Sequence, residues 1–230
     1  MKLILFDIDG TLLWSDGAGR SAIRSALMAE MGTTGPIDGY RFDGKTDPQI
    51  VHELMRAAGH PHAESQPHIQ AVCDRYVEIL AGELAGGQRA PHIFPGVRKL
   101  LDAIEIRSDA VLGLLTGNVV AGARLKLGSV GIDFDRFRVG AFGSDAAERS
   151  ELPGVAVARA ARVIGEPPEG EQIVIIGDTP ADVTCGESVG ARAIAVATGF
   201  YTADELSAAG PFAVFEDLSD TDRVLAKIFA

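Results

Sequence analysis

The chain begins with Lys2-Leu3-Ile4-Leu5-Phe6-Asp7-Ile8-Asp9-Gly10-Thr11-Leu12, an apolar stretch that ends in two carboxylates. The stretch predicts a buried strand, whose side chains alternate between the two faces of a sheet. Because Asp7 and Asp9 are two residues apart, this alternation predicts that both point the same way at the strand's carboxyl end. Two like charges that close repel each other by about 4 kcal/mol at an effective dielectric constant of about 20. We therefore expect a cation, a shared proton or a chemical use for the pair.

Further short apolar runs follow along the chain, separated by helical patterns. Strands that alternate with helices are typical of a parallel sheet covered on both faces. The sequence therefore predicts a doubly wound parallel α/β fold. The predicted strands are Leu3–Phe6, Ala110–Leu115, Arg138–Phe142, Ile173–Ile176 and Ala193–Val196. The predicted helices of this part are Val97–Glu105, Leu152–Ile164 and Asp220–Phe229, the last with Ser219 as its N-cap.

The stretch from about Asp16 to Arg89 interrupts this alternation, because it shows three amphipathic helical patterns and no convincing strand. Glycines lie at both of its edges and indicate flexible connections. We predict an α/β core domain formed by residues 1–15 and 90–230, with a small helical cap domain, residues 16–89, inserted into it. Within the cap, Asp47-Pro48 predicts a helix start with Asp47 as the N-cap.

Composition excludes several classes of partner. The chain has 21 basic and 32 acidic residues and a net charge of −11, which argues against a nucleic-acid surface and against binding to anionic membranes. No run approaches the roughly 20 apolar residues of a membrane span, and the apolar stretch before Asp7 is too short for a signal peptide. The two cysteines form no framework of spaced pairs. We expect a soluble, cytoplasmic protein whose partner is a small molecule.

Polar residues follow three of the predicted strands directly. Asp7 ends the first, Thr116-Gly117-Asn118 ends the second, and Asp178 to Asp182 end the fourth. In an open parallel sheet, ligands bind outside the carboxyl ends of the strands. We therefore expect these three clusters to meet in one crevice.

The composition of this crevice indicates its chemistry. Four acids that meet there need a hard cation, and oxygen-only ligands without clustered His or Cys favour magnesium over zinc. The Thr116 hydroxyl and the backbone amides of Gly117 and Asn118 suit a phosphate. The combination suggests phosphoryl transfer onto a carboxylate. The four acids are Asp7, Asp9, Asp178 and Asp182.

These motifs resemble motifs one, two and four of the haloacid dehalogenase superfamily. The residues that carry the resemblance are Asp7-Ile8-Asp9-Gly10-Thr11, the strand-ending Thr116, and Gly177-Asp178-Thr179-Pro180-Ala181-Asp182. The helical insertion after motif one is similar to the superfamily's alpha-helical cap. The resemblance covers nearly the whole chain and is strongest to the phosphoglycolate phosphatase branch.

The resemblance implies a role for each of these residues. Asp7 would be the nucleophile that takes the phosphoryl group, and Asp9 would protonate the leaving oxygen and then activate water. Asp7, the Asp9 backbone carbonyl and Asp178 would hold Mg²⁺, with Asp182 bound directly or through water. The phosphoryl oxygens would be bound by Thr116, Gly117 and Asn118.

The third motif of the superfamily is usually a lysine ahead of a helix, and here the sequence departs from it. Lys126 is the only lysine between Thr116 and Asp178, and it lies too close to motif two. Arg149 occupies the expected place and can bridge Asp7 and the phosphoryl group. Its guanidinium group is planar with forked N–H donors, whereas the ammonium group of lysine acts as a point charge. Arg138 and Arg159 are alternatives for the same role.

The expected activity is magnesium-dependent hydrolysis of a small phosphomonoester, phosphoglycolate-like or a sugar phosphate, by a monomer or homodimer. In the cap, Arg20 and Lys45 are candidates for contact with a distal group of the substrate, although a solvated loop charge explains Lys45 equally well. Two alternatives share the core motifs: a phosphomutase of the beta-phosphoglucomutase type and a non-catalytic phosphometabolite-binding protein. A haloacid dehalogenase is disfavoured by Asp9, the second aspartate of motif one.

Overall fold

Eight strands are present in the computed structural model, which describes residues 1–230. Six form one parallel sheet, and a short antiparallel pair lies outside it. The strands are β1 (Lys2–Phe6), β2 (Leu13–Trp14), β3 (His92–Ile93), β4 (Ala110–Thr116), β5 (Val139–Phe142), β6 (Ile173–Gly177), β7 (Arg192–Val196) and β8 (Ala213–Phe215).

The order of strands in the large sheet is β5-β4-β1-β6-β7-β8, so that β1 lies between β4 and β6. This is the doubly wound parallel α/β architecture that the sequence predicts, and the five predicted strands are confirmed. The β2–β3 pair and β8 were not predicted, because two or three residues are too few to show a period.

Nine α-helices accompany the strands, and they confirm the predicted helical segments to within a few residues. They are α1 (Ala18–Met31), α2 (Asp47–Ala57), α3 (Gln66–Ala85), α4 (Val97–Glu105), α5 (Val120–Ser129), α6 (Leu152–Ile164), α7 (Pro180–Thr184), α8 (Ala203–Ala208) and α9 (Thr221–Ile228). None of them combines the length and the apolar composition that a membrane crossing requires.

Burial on both faces explains why β1 reads as an unbroken apolar run. Ile4 and Phe6 belong to a cluster of 24 buried residues on one face of the sheet. Leu3 and Leu5 belong to a cluster of 12 buried residues on the other face. Since β1 is central and covered on both sides, its last residue delivers Asp7 into the middle of the sheet's carboxyl edge.

Helices α1 to α3 lie between β2 and β3 in the chain and form a third buried cluster, of 18 residues. Almost all members of this cluster lie between residues 18 and 80, and Val119 of the core packs against them. This separate apolar cluster supports the proposed division into a core and a helical cap.

Two predicted helix caps are wrong. The N-cap of α2 is Thr46, whose hydroxyl accepts from the Gln49 amide at 3.2 Å, and Asp47 is the first helical residue. The N-cap of α9 is Asp220, which accepts from the Arg223 amide at 3.2 Å, and not Ser219. In both cases two adjacent residues can cap a helix, and the local sequence does not decide between them.

Candidate active site

A cavity of about 370 Å³ lies between the carboxyl edge of the sheet and helices α1 to α3. Asp7 after β1, Thr116 at the end of β4 and Asp178 after β6 all line it. The structure therefore brings together the three clusters that the sequence places at strand ends. The volume lies near the lower end of the range for small-molecule pockets.

Asp7 is buried and lies against a cation. The Arg149 Nη2 atom is 3.1 Å from its Oδ1 atom. Burial raises the pKa of Asp7 to about 6, and the adjacent Arg149 opposes this shift while Asp182 and Asp9 add to it. The carboxylate is held at a defined place, and its second oxygen accepts no side-chain hydrogen bond.

Arg149 lies in a short 3₁₀ turn, Arg149–Glu151, directly before α6. Its guanidinium bridges Asp7 and Asp182 and is 7% exposed. Although burial by itself lowers the pKa of Arg149, the Asp182 and Asp7 carboxylates raise it above its usual value. Of the alternatives for this place, neither Arg138 nor Arg159 lines the cavity, and Arg159 pairs with Asp145 at 2.6 Å.

Both oxygens of Asp182 are already bonded. Its Oδ1 atom accepts from Arg149, and its Oδ2 atom accepts from the Thr179 amide at 3.0 Å and the Thr179 hydroxyl at 2.7 Å. Thr179 and Asp182 form a reciprocal capping box at the start of α7. Asp182 is thus fixed by the helix that it caps, and in turn it fixes Arg149.

Asp178 is buried with a single hydrogen-bond donor, the Thr11 hydroxyl at 3.1 Å from its Oδ1 atom. Gly10 and Gly199 flank its carboxylate so closely that a Cβ at either position would overlap it. Gly10 also has a φ of +85°, which favours glycine. Burial, together with Asp182 and Asp7, raises the pKa of Asp178 well above its usual value.

The chemistry of this donor set fits Mg²⁺. One carboxylate oxygen from each of Asp7, Asp178 and Asp182 lies within 4.8 Å of the others. Three carboxylates against the single Arg149 guanidinium leave a charge of −2 when all are ionised. A buried charge of this size requires neutralisation, and oxygen-only ligands suit a hard divalent cation.

Asp9 lies in a different environment from Asp7. Its Oδ2 atom accepts from Lys126 Nζ at 2.7 Å and from Asn118 Nδ2 at 2.8 Å, and its side chain is 35% exposed. Because β1 ends at Phe6, both aspartates lie just beyond the strand, and both line the cavity. Each carboxylate has its own cation, which relieves the repulsion between the two.

Lys126 is a site residue that sequence reasoning missed. It lies on α5 next to the buried residues Ala123 and Leu127 and is only 5% exposed. A lysine on the apolar face of a helix that follows motif two is a signal that was available. Distance along the chain was the wrong criterion, since Lys126 lies nearly two helical turns into α5 and its side chain reaches back to Asn118.

Thr116 and Asn118 form the expected polar strand end. The Thr116 Oγ1 atom is buried and accepts from Asn118 Nδ2 at 2.8 Å and from the Asn118 amide at 3.4 Å. Gly117 is in direct contact with the cap loop, because its carbonyl accepts from the Asp47 amide at 2.8 Å and a Cβ on it would overlap the Lys45 carbonyl.

Two basic side chains of the cap, Lys45 and Arg20, line the cavity, and only Lys45 has a carboxylate partner. Lys45 Nζ is neutralised by Glu53 at 2.6 Å and also donates to the Tyr40 hydroxyl. Arg20 donates to two backbone carbonyls, of Ile37 and Tyr40, each at 2.9 Å. No carboxylate lies within 4.0 Å of Arg20, so its charge is not matched by a counter-ion.

Comparison with known proteins agrees with this geometry. The sequence model of a HAD-hydrolase-like family matches residues 152–221. A phosphoglycolate phosphatase of Rhodospirillum rubrum is 28% identical over 225 residues, which are 95% of this chain and 88% of the relative.

Solved structures show the same fold. A hydrolase from Pseudomonas syringae aligns with a TM-score of 0.75 and 21% identity over 99% of both chains. CbbY from Rhodobacter sphaeroides, in complex with xylulose-1,5-bisphosphate, aligns with a TM-score of 0.72 and 22% identity over 96% of both chains.

The sheet order, the acids at its carboxyl edge and these similarities point to one class of protein: the chain is similar to the hydrolases of the haloacid dehalogenase superfamily. Among these hydrolases it is similar to phosphoglycolate phosphatases, of which those of Rhodospirillum rubrum and Cereibacter sphaeroides are 28% and 26% identical to it.

Proposed function

We propose that the chain is a magnesium-dependent phosphatase that hydrolyses a small phosphomonoester through an aspartyl phosphate on Asp7. The observation that carries the proposal is the position of Asp7, which is buried at the centre of the sheet's carboxyl edge beside Arg149 and faces a cavity of about 370 Å³. A carboxylate held in this way is a nucleophile with one fixed direction of attack.

Mg²⁺ would be held by Asp7, the Asp9 backbone carbonyl and Asp178. Asp7 and Asp178 each retain a carboxylate oxygen that accepts no side-chain hydrogen bond, whereas both oxygens of Asp182 are bonded. We therefore assign Asp182 to the orientation of Arg149 rather than to direct metal contact. When bound, the ion supplies charge neutralisation for the phosphoryl group and for the carboxylates around it.

The side chains account for two half-reactions. In the first, an Asp7 oxygen bonds to phosphorus while the bond to the substrate oxygen breaks, and that oxygen takes a proton from Asp9. In the second, ionised Asp9 takes a proton from water, whose oxygen bonds to phosphorus and releases Asp7 and inorganic phosphate. Arg149, Thr116 and the amides of Gly117 and Asn118 bind the phosphoryl oxygens throughout.

The substrate class follows from the size and charge of the cavity. It admits a small metabolite, and Arg20 is a cation on its cap side without a carboxylate partner. A substrate with a second anionic group, as in phosphoglycolate or a sugar bisphosphate, would supply that partner. Two similar proteins support these two classes. The Rhodospirillum rubrum relative is a phosphoglycolate phosphatase, and the CbbY structure contains xylulose-1,5-bisphosphate. Lys45 is a weaker candidate because Glu53 already neutralises it.

The test is hydrolysis of para-nitrophenyl phosphate with and without Mg²⁺ by the parent and by Asp7→Asn. We expect turnover that requires Mg²⁺ and a loss of more than about 10³-fold in the variant, because an amide is not a nucleophile. Asp16→Asn, which alters an acid that does not line the cavity, is the matched control. Persistent turnover by Asp7→Asn rules out the proposed nucleophile.

Phosphorylated metabolites then define the substrate. Release of inorganic phosphate from phosphoglycolate or a sugar phosphate supports a phosphatase. Conversion of a sugar phosphate into its isomer without release of phosphate identifies a phosphomutase instead.

A further inference from the structure

Lys126 joins the two catalytic strand ends through a closed set of hydrogen bonds. Its Nζ atom donates to Asp9 Oδ2 at 2.7 Å and to Asn118 Oδ1 at 2.6 Å. The Asn118 amide group in turn donates to Asp9 Oδ2 and to Thr116 Oγ1, each at 2.8 Å. The orientation of the Asn118 amide is therefore fixed, because its oxygen faces the ammonium group and its nitrogen faces two acceptors.

These contacts treat the two oxygens of Asp9 differently. Both strong donors, Lys126 and Asn118, bond to Oδ2. The only side-chain hydrogen bond to Oδ1 comes from the Ser15 hydroxyl at 3.5 Å, at the limit of hydrogen bonding. Because Oδ2 already accepts two short hydrogen bonds, Oδ1 is the oxygen whose lone pairs remain available to a substrate or to water.

We propose that Lys126 is a positioning residue, which holds Asp9 through Oδ2 so that Oδ1 delivers the proton to the leaving oxygen of the substrate. This inference rests on the proposed phosphatase function. In the first half-reaction the proton leaves Oδ1 as the bond between phosphorus and the leaving oxygen breaks. In the second half-reaction Oδ1 takes a proton from water. The two hydrogen bonds to Oδ2 persist through both, so the carboxyl group does not rotate between them.

The surroundings of the Lys126 ammonium group limit where it can lie. A Cβ at Gly19, in the first turn of α1, would lie 3.2 Å from Lys126 Nζ, so the small residue there leaves room for the side chain and little more. The Lys126 side chain is 6% exposed, and its charge is matched by Asp9. This differs from Arg20, whose charge has no carboxylate partner.

The experiment measures kcat/KM of Lys126→Met for two aryl phosphates whose leaving groups differ in basicity. Phenolate needs a proton as it leaves, whereas para-nitrophenolate is stable as the anion. Misplacement of Asp9 should therefore lower kcat/KM for phenyl phosphate by about 100-fold. The loss for para-nitrophenyl phosphate should be less than about 5-fold. The matched control is Arg124→Met, which removes an exposed cation from the same helix and should change neither value by more than about 2-fold.

A second variant separates positioning from folding. Lys126→Gln introduces a side-chain amide that can still donate a hydrogen bond to Asp9. We expect its kcat/KM for phenyl phosphate to be at least about 10-fold higher than that of Lys126→Met. Thermal melting of both variants identifies unfolding. If Lys126→Met does not fold, the ratio of kcat/KM for the two esters in Lys126→Gln decides whether Lys126 positions Asp9.

Equal losses for both substrates in a folded variant overturn the proposal, and so does a change confined to KM, which would make Lys126 a substrate ligand. If the parent hydrolyses neither ester with Mg²⁺, the proposed function itself fails, and this result differs from every failure of the Lys126 inference alone.

Discussion

The two aspartates of motif one belong to two unlike halves of the site. The acidic half, formed by Asp7, Asp178, Asp182 and Arg149, is buried and carries a charge of −2 when ionised. The paired half, formed by Asp9, Lys126 and Asn118, is neutral when Asp9 is ionised and is closed by its own hydrogen bonds. The acidic half therefore depends on a cation from outside, whereas the paired half is complete without one.

The largest effect should come from removing the one cation of the acidic half. Arg149→Met leaves three buried carboxylates without a counter-charge, and loss of one partner of a buried ion pair costs about 3–5 kcal/mol. We expect the free energy of unfolding in urea, without Mg²⁺ at pH 7, to fall by that amount. Arg162→Met, at an exposed position on α6, should stay within about 0.5 kcal/mol of the parent. Equal small changes in both variants would show that the acidic half is not held by Arg149.

The same contrast explains how much of the molecule could be predicted from the sequence. The sheet was predictable because β1, β4, β6 and β7 are buried on both faces and so appear as continuous apolar runs. The gathering of Asp7, Thr116 and Asp178 followed from the rule that parallel strands open their carboxyl ends on one edge. The roles of these residues in the reaction remain predictions.

What the sequence did not show depends on contacts between distant segments. Lys126 meets Asp9 across 117 residues of chain, and no local pattern carries that pairing. Asp47 was predicted as a helix cap, yet its carboxylate accepts from the Val119 amide at the start of α5, which only the docking of the cap loop on the core explains. The periodicity of apolar residues indicates which faces of helices and strands are buried. It does not specify which polar side chains form hydrogen bonds with each other.

The second prediction concerns Asp47, which is buried beside the paired half. Burial raises its pKa to about 6 from 3.8, against the opposing effects of Lys126 and the Val119 amide. The folded state thus binds the proton more tightly than the unfolded state, so this group's contribution to stability is present below pH 3.8 and is lost as the pH rises through about 6. A pKa shift of this size changes the free energy of unfolding by about 3 kcal/mol.

Replacement of Asp47 with Asn should remove this dependence. Relative to the parent, the free energy of unfolding of Asp47→Asn should therefore increase by about 3 kcal/mol between pH 3.5 and pH 7. Urea denaturation at several pH values measures the difference, with Asp74→Asn, at an exposed acid on α3, as the control for loss of one carboxylate. A difference that is independent of pH would mean that Asp47 is better solvated than its burial indicates.

The smallest expected effect tests whether the acidic half is the part that needs a cation. Parent protein should gain about 2.7 kcal/mol of stability at a Mg²⁺ concentration 100 times its dissociation constant, measured as a rise in melting temperature. Asp178→Asn should lose most of that gain. Without Mg²⁺ the same variant should be more stable than the parent, because a neutral amide replaces a buried carboxylate whose only hydrogen-bond donor is Thr11. Asp204→Asn, an exposed acid on α8, controls for the change in net charge. If Asp178→Asn keeps the full response to Mg²⁺, the cation binds elsewhere and the contrast between the two halves loses its physical basis.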